Sequence, residues 1–123
     1  LYFSAYGSHL RRYDETPWHH LLDTEDELWK VIEAHQGPID PAEVDFGFAD
    51  FGVEGYKRFV FNEYKALNRL TADELVAFAQ SAGFNVVREE RRSLDISPPD
   101  SLLAQYPRDW LTNNEIFLLL RKG

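Results

Sequence analysis

The clearest pattern of hydrophobic and polar positions lies in the last third of the chain, from Leu70 to Lys122. Thr71 and Glu74 have the spacing of a capping box, in which two side chains satisfy backbone N–H groups at the start of a helix. Apolar residues then recur at helical spacing until Gly83, because a left-handed residue at the C′ position is easiest without a Cβ. The apolar positions of this predicted helix are Leu75, Val76, Phe78, Ala79 and Ala82.

Two strands are predicted after this helix. Phe84, Val86 and Val87 begin the first, and the charged run from Arg88 to Arg92 is interpreted as a solvated strand or strand end. Ile116 to Leu120 form the second, which is apolar at every position, as expected for a strand covered on both faces. The order of helix, Gly-Phe turn, strand, long excursion and buried terminal strand predicts an α/β fold.

The excursion between these strands contains three prolines whose positions predict where a short helix begins and ends. Pro98 and Pro99 suit the start of a helix, and Pro107 ends what is at most two turns. The apolar residues of this stretch are expected to cap the hairpin. They are Leu102, Leu103, Tyr106, Trp110 and Leu111.

The first two thirds of the chain contain two further helical patterns. Thr24 and Glu27 form a second capping box, and the apolar face that follows ends at Gly37. A second apolar stripe runs through Glu54 to Leu67, and a stripe of this kind is core more often than a ligand site. The stretch between them, Pro38 to Val53, is rich in phenylalanine and is interpreted as a substrate-facing lid loop. The alternative is a hydrophobic connector.

Composition narrows the class of protein and its partners. The 123 residues fit one domain with a modest core, and the formal net charge is -8. Such acidity argues against a nucleic-acid partner and against an anionic membrane surface, since both require a basic face. No apolar run approaches the roughly 20 residues of a spanning helix. The absence of cysteine excludes disulfides and thiolate metal sites, and it fits a cytoplasmic origin.

Candidate chemistry is concentrated in the loop-like residues 7–23, which hold three of the four histidines. His9, His19 and His20 are candidate proton acceptors, because histidine titrates near neutral pH. For each of them the alternative is a surface loop pinned down by its aromatic residues. No metal is expected from these histidines and Asp14, since adjacent histidines usually point apart and no His-x-x-x-His spacing occurs.

Two segments carry a resemblance to a known family. Ala82-Gly83-Phe84-Asn85-Val86-Val87, followed by Asn114-Glu115-Ile116-Phe117-Leu118-Leu119-Leu120-Arg121-Lys122, resembles the C-terminal end of a class I S-adenosylmethionine-dependent methyltransferase. In that family the last helix ends in an Ala-Gly-Phe-like turn, and the final two strands make an antiparallel hairpin at the sheet edge. The resemblance implies the C-terminal portion of a Rossmann-like sheet with a mainly helical insertion.

The resemblance also implies a division of the chain into three parts. Residues 1–4 would end a sheet strand, although a remnant of an expression tag is an alternative. Residues 5–70 would be a helical and loop insertion acting as a substrate lid. Residues 71–123 would be the terminal helix and the β-hairpin of the sheet.

The function implied is the substrate-facing portion of a methyltransferase acting on a small molecule. S-adenosylmethionine would be the cofactor of the parent protein. Because the family's glycine-rich loop belongs to the N-terminal half, which this chain is not expected to contain, the chain alone should neither bind the cofactor nor turn over. His9, His19 and His20 would be the catalytic bases, with His9 closest to the ligand-binding carboxyl edge of the sheet. The expected pocket walls are Tyr13, Trp18, Tyr56 and Tyr64.

An alternative function of another class is a free-standing acidic α+β module for binding or dimerisation, without catalysis. A two-stranded sheet is marginal by itself, and an apolar strand needs cover on both faces. The sequence therefore predicts contact with a missing N-terminal half or a homo-oligomer.

Overall fold

The computed structural model describes residues 1–37 and 52–123. The chain divides into two compact units, which are described separately. Ser8–Leu67 form the first, here named the helical unit, and Leu1–Gly7 with Asn68–Gly123 form the second, here named the hairpin unit. The division drawn from the sequence, into residues 1–4, 5–70 and 71–123 with a lid insertion, stays a prediction. The fold is mixed α/β.

Three helices are described in the helical unit: α1 (His19–Leu22), α2 (Glu25–Ala34) and α3 (Gly52–Lys65). The predicted capping box begins α2. The Thr24 hydroxyl accepts from the Glu27 N–H at 3.2 Å, and the Glu27 carboxylate accepts from the Thr24 N–H at 3.0 Å. The single turn α1 was not predicted. Most of the predicted lid loop falls on residues 38–51, which lie outside the described residues.

The buried face of α3 differs from the predicted apolar stripe at several positions. The predicted stripe comprises Tyr56, Phe59, Val60, Tyr64 and Leu67, of which Val60 and Leu67 are only half-buried. Tyr56, Phe61 and Tyr64 are buried, whereas Phe59, which the stripe included, is exposed. The buried aromatic residues are separated by steps of five and three residues, which keeps them on one side of the helix, and Phe59 lies beside that side. The aromatic residues of α3 are therefore mainly core.

In the hairpin unit, the predicted terminal helix is confirmed as α4 (Ala72–Ser81). Its capping box is present, with the Thr71 N–H donating to the Glu74 carboxylate at 2.7 Å. Gly83 follows with φ 89°, in the left-handed region that favours glycine. Local sequence chemistry therefore determines both ends of this helix.

Both predicted strands are confirmed, and each is longer than predicted. β1 is Phe84–Ser93, and β2 is Asn113–Lys122. They form an antiparallel two-stranded sheet in the described part of the chain, with Phe84 opposite Lys122. The charged run from Arg88 to Arg92 lies inside β1, which confirms its interpretation as a strand.

Two short helices lie in the excursion between the strands: α5 (Asp100–Leu103) and α6 (Arg108–Thr112). Pro99 caps α5, as the sequence predicted. Pro107 also caps a helix, α6, so the prediction that it only ends one was incomplete. Both prolines stand before a first turn, where a missing N–H costs nothing. Leu102 and Leu111 are buried.

The predicted burial of both faces of the second strand is not found in the described residues. α4 packs on one face, where Arg91 of β1 donates to Asp73 of α4 at 2.6 Å. On the opposite face, Phe117 and Leu119 are 48% and 58% exposed. Arg92 covers Phe117 in part, with its guanidinium 4.6 Å from the ring centre. This face of the hairpin has no helix of the hairpin unit on it.

The sequence predicts the end of a strand at Leu1 to Ser4, but these residues form a turn in the structure. The Ser4 N–H and hydroxyl both donate to the Leu1 carbonyl, at 3.2 and 2.7 Å. Gly7 packs so closely against the Leu1 and Tyr2 carbonyls that a Cβ there would overlap them. The chain therefore folds back at once, and the Leu1 nitrogen donates to the carbonyl of Asn114, the second residue of β2, at 2.9 Å.

Candidate functional site

The loop that begins the helical unit holds two strained backbone positions. In the described ranges, His9 (φ 62°) and Trp18 (φ 57°) are the non-glycine residues with positive φ. A left-handed residue with a side chain costs roughly 1–2 kcal/mol, so the surroundings must hold it in place. His9 directly follows Ser8, and Trp18 directly precedes His19. The strain therefore lies next to two residues that meet in space.

Ser8 and His19 share a short buried hydrogen bond. The Ser8 Oγ lies 2.6 Å from the His19 Nε2, and the two residues are 1% and 2% exposed. The Ser8 Oγ also accepts from the Leu10 N–H at 3.1 Å. A hydroxyl oxygen has two lone pairs and one proton, so the direction of the bond between Ser8 and Nε2 depends on the tautomer of His19. Where Ser8 donates to Nε2, His19 carries its proton on Nδ1.

Asp14 faces the other nitrogen of the same ring. Its Oδ2 lies 3.4 Å from the His19 Nδ1, within ion-pair distance, but this buried nitrogen makes no hydrogen bond in the described residues. The Thr16 N–H donates to the Asp14 Oδ1 at 3.0 Å and holds the carboxylate in this position. Asp14, His19 and Ser8 thus form a line of carboxylate, imidazole and hydroxyl, here named the relay.

Burial and charge set the protonation states of the relay. Burial lowers the pKa of His19 below its usual value of 6.5, outweighing the Asp14 and Asp23 carboxylates, which raise it. Burial raises the pKa of Asp14, but the Thr16 hydrogen bonds and the attraction of His19 outweigh this, and the pKa is lowered overall. At neutral pH the imidazole is therefore neutral and the carboxylate is charged.

The lowered pKa of His19 predicts a pH dependence of stability. Below pH 6.5 the unfolded chain binds a proton at this histidine before the folded chain does. The contribution of His19 to the free energy of unfolding is therefore present above pH 6.5 and is lost as the pH falls through the lower folded pKa. Urea denaturation between pH 7 and pH 5 should show this loss, and His19→Gln should reduce it. His9→Gln, at an exposed histidine, serves as the control, and an unchanged slope in His19→Gln would contradict the prediction.

The three predicted catalytic histidines lie in different surroundings. His9 is exposed, whereas His19 and His20 are buried. The rings of His19 and His20 contact each other edge to face, with centroids 5.8 Å apart. The helix turn of α1 places both rings inside the unit. Of the three histidines, His19 is the member of the relay, and His20 contacts it through this ring pair.

The predicted pocket walls are largely core residues of the helical unit. Trp18, Tyr56 and Tyr64 are buried. Tyr13 is half-buried and meets the His35 ring edge to face at 5.2 Å, and burial raises the pKa of Tyr13. Their contact with a substrate stays a prediction.

Lys57 is a buried charge that the sequence did not single out. Its ammonium donates to the Glu33 carbonyl at 2.9 Å and to the His35 carbonyl at 2.7 Å, at the end of α2. It also meets the exposed Glu54 carboxylate at 3.2 Å. Carbonyls at a helix C-terminus have no partner within the helix and carry partial negative charge, so a cation is favoured there. Lys57 therefore joins α3 to the end of α2.

Sequence reasoning identified His19 but not its partners. Ser8 and Asp14 stand eleven and five residues before His19, and no regular element has such a spacing. The signal present in the sequence was only the density of polar groups between residues 7 and 23. The two left-handed residues that bring the partners together have no sequence signature of their own, because neither is glycine.

Comparisons of the chain with protein-family models, with curated proteins and with solved structures gave no match. In residues 1–37 and 52–123, no three histidine or acidic side chains are grouped so that they could hold a metal ion. Over the same residues, no helix has the length and apolar character needed to cross a membrane.

Proposed function

We propose that this chain is the C-terminal, substrate-facing portion of an S-adenosylmethionine-dependent methyltransferase. The observation that carries the proposal is the order of α4, the left-handed Gly83 and the antiparallel pair β1 and β2. This is the arrangement that ends the sheet in the family that the sequence resembles. A two-stranded sheet is marginal alone, and Phe117 and Leu119 are 48% and 58% exposed on the face opposite α4. Both features suit the edge of a larger sheet.

The position of Leu1 supports the same proposal. Its nitrogen donates to the Asn114 carbonyl at the start of β2. In a longer parent chain this nitrogen would be a peptide N–H, which could make the same bond. A strand arriving at Leu1 could then lie beside β2 and extend the sheet.

The helical unit would face the methyl acceptor, a small molecule. Methyl transfer depends on in-line positioning and, for an oxygen or nitrogen acceptor, on a group that takes the proton. His9 is the best candidate for that group, because it is the exposed member of the three histidines. The cofactor would be held by the upstream half of the parent protein, and a cytoplasmic location fits this chemistry.

Isothermal titration calorimetry with S-adenosylmethionine tests the proposal. We expect no saturable binding to the 123-residue chain, and saturable binding to the parent chain that includes residues upstream of Leu1. Saturable binding to the 123-residue chain would show that the family resemblance is misplaced. Absence of binding to the parent chain would refute the proposed function. In an active parent, His9→Ala should reduce methyl transfer about 100-fold or more. Lys30→Ala, at an exposed residue of α2, should leave methyl transfer unchanged.

The exposed hairpin face also predicts association. Without an N-terminal half, burial of Phe117 and Leu119 requires a second copy of the chain, and we expect light scattering to show a mass above the 14.3 kDa of the monomer. Phe117→Lys with Leu119→Lys should restore the monomer. Val53→Lys, at an exposed apolar residue of the helical unit, should not. A monomer at all concentrations would contradict this prediction.

The result of this experiment also separates the two candidate functions. A stable homodimer that does not dissociate in the presence of the separately expressed upstream half would favour the alternative, a dimerisation module without catalysis. Replacement of the second copy by the upstream half would favour the methyltransferase.

A further inference from the structure

The relay has the geometry that activates a serine hydroxyl. The Ser8 Oγ lies 2.6 Å from the His19 Nε2, and the His19 Nδ1 lies 3.4 Å from the Asp14 carboxylate. A hydroxyl, an imidazole and a carboxylate in this order form a nucleophile, its base and the group that orients the base. We propose that Ser8 is a nucleophile activated by His19, with Asp14 as the positioning carboxylate, and that it accepts the acyl group of small carboxylic esters. This activity would be additional to the proposed methyl transfer.

The backbone conformation of the residues next to Ser8 and His19 supports this inference independently. Among the described non-glycine residues, the left-handed ones are His9 and Trp18, the immediate neighbours of Ser8 and His19. Left-handed tryptophan is especially unfavourable, because a bulky side chain crowds the backbone there. Such strain persists where the fold over-determines a position, and it is concentrated at functional sites. Here the strain sets the position of the nucleophile and of its base.

Another buried serine shows what a merely structural hydroxyl does in this protein. Ser4 is also buried, and its hydroxyl donates to a backbone carbonyl, that of Leu1, at 2.7 Å. Backbone carbonyls satisfy a buried hydroxyl without burying a second titratable side chain. Ser8 instead shares its hydrogen bond with an imidazole that faces a carboxylate. Ser4 is therefore a matched control for Ser8.

Access to Ser8 restricts the substrate to small molecules. Ser8 is 1% exposed, but the next residue in the chain, His9, is exposed. Because Ser8 is buried, the proposal requires Ser8 and His9 to move outward before a substrate reaches the hydroxyl. An ester with a short acyl group could enter by such a movement, whereas a large one would require the helical unit to open further.

The reaction is balanced with water as the second reactant. The Ser8 Oγ attacks the ester carbonyl carbon, and its proton passes to the His19 Nε2. The bond to the leaving alkoxide then breaks, and the alkoxide takes that proton. Water attacks the acyl-serine and gives a proton to His19, which returns it to the Ser8 Oγ as the carboxylic acid leaves. The Asp14 charge stabilises the imidazolium of His19 that forms both in the acylation of Ser8 and in the hydrolysis of the acyl-serine.

Phenylmethanesulfonyl fluoride is a small probe for this nucleophile. The Ser8 Oγ would form a bond to sulfur as the sulfur–fluorine bond breaks, and the proton would leave through His19 with the fluoride. Intact-mass and peptide-mapping measurements on the folded chain should find one added group, on Ser8. Ser8→Ala should abolish the addition, and His19→Gln should slow it about 100-fold. Ser4→Ala should react as the unaltered chain does.

A second measurement on the unaltered chain keeps the proposal testable if the variants do not fold. Nitrogen NMR should find the His19 proton on Nδ1 at neutral pH, with Nε2 free of hydrogen. A proton on Nε2 would overturn the proposal, since His19 could then not accept from Ser8. So would absence of labelling in the folded chain at pH 8, or labelling that persists in Ser8→Ala.

Discussion

Trp18→Ala is expected to lower the free energy of unfolding of the helical unit by about 3–5 kcal/mol, the usual range for removing a large buried aromatic side chain. Trp18 is the largest side chain among the fully buried ones of the described residues, with 2% exposure. A methyl group leaves most of its volume empty, because the neighbouring side chains can move only slightly into the space. Urea denaturation followed by circular dichroism measures the change.

The left-handed backbone at Trp18 predicts an unusual order of two variants. Alanine would keep the strain at φ 57°, whereas glycine would relieve it. Trp18→Gly should therefore be more stable than Trp18→Ala by about 1 kcal/mol, although glycine is normally the less stable choice. Trp29→Ala, at a half-buried tryptophan of α2, serves as the control with a smaller loss. Equal or reversed stabilities at residue 18 would contradict the role assigned to the strain.

Lys57→Met is expected to cost the helical unit about 2–3 kcal/mol, as is usual for hydrogen bonds to a charged group. Methionine keeps the apolar stem but cannot donate to the Glu33 and His35 carbonyls. Those carbonyls would lose their charged partner at the end of α2, and the link between α2 and α3 would weaken. Thermal and urea denaturation would measure the loss.

Two control variants separate the carbonyl bonds of Lys57 from its ion pair and from its charge alone. Glu54→Gln should cost at most about 1 kcal/mol, because its carboxylate is exposed and solvent screens the pair. Lys30→Met removes a positive charge from an exposed position of α2 and should have little effect. A loss in Glu54→Gln as large as that in Lys57→Met would assign the stabilisation to the ion pair.

The elements recognised correctly from the sequence are those with local causes. The capping boxes at Thr24 and Thr71 involve atoms three residues apart, and both are present in the structure. Gly83 ends α4 because its own φ is positive. Strand β2 follows from its apolar run alone. In each case the interaction that determines the element is complete within a few neighbouring residues.

The elements that were missed or misjudged depend on more distant parts of the chain. The helix turn α1 follows a left-handed Trp18, which no propensity favours. Phe59 was included in the buried face of α3, but the packing of α2 on α3 selects Phe61 in its place. The turn at Leu1 forms because Gly7 can approach two carbonyls. Burial on both faces of β2 would need a layer packed on the face opposite α4, which the hairpin unit does not contain.

By itself the sequence determined the α/β character of the chain, the ends of α2 and α4, and the hairpin of β1 and β2, since hydrophobic periodicity and capping act over short distances. It also placed His19 among the candidate bases. Only the tertiary structure joined His19 to Ser8 and Asp14, and joined Lys57 to carbonyls 22 and 24 residues away. These contacts have no fixed spacing along the chain. The contacts of His19 form beside two strained backbone positions, and those of Lys57 form where α3 packs on the end of α2.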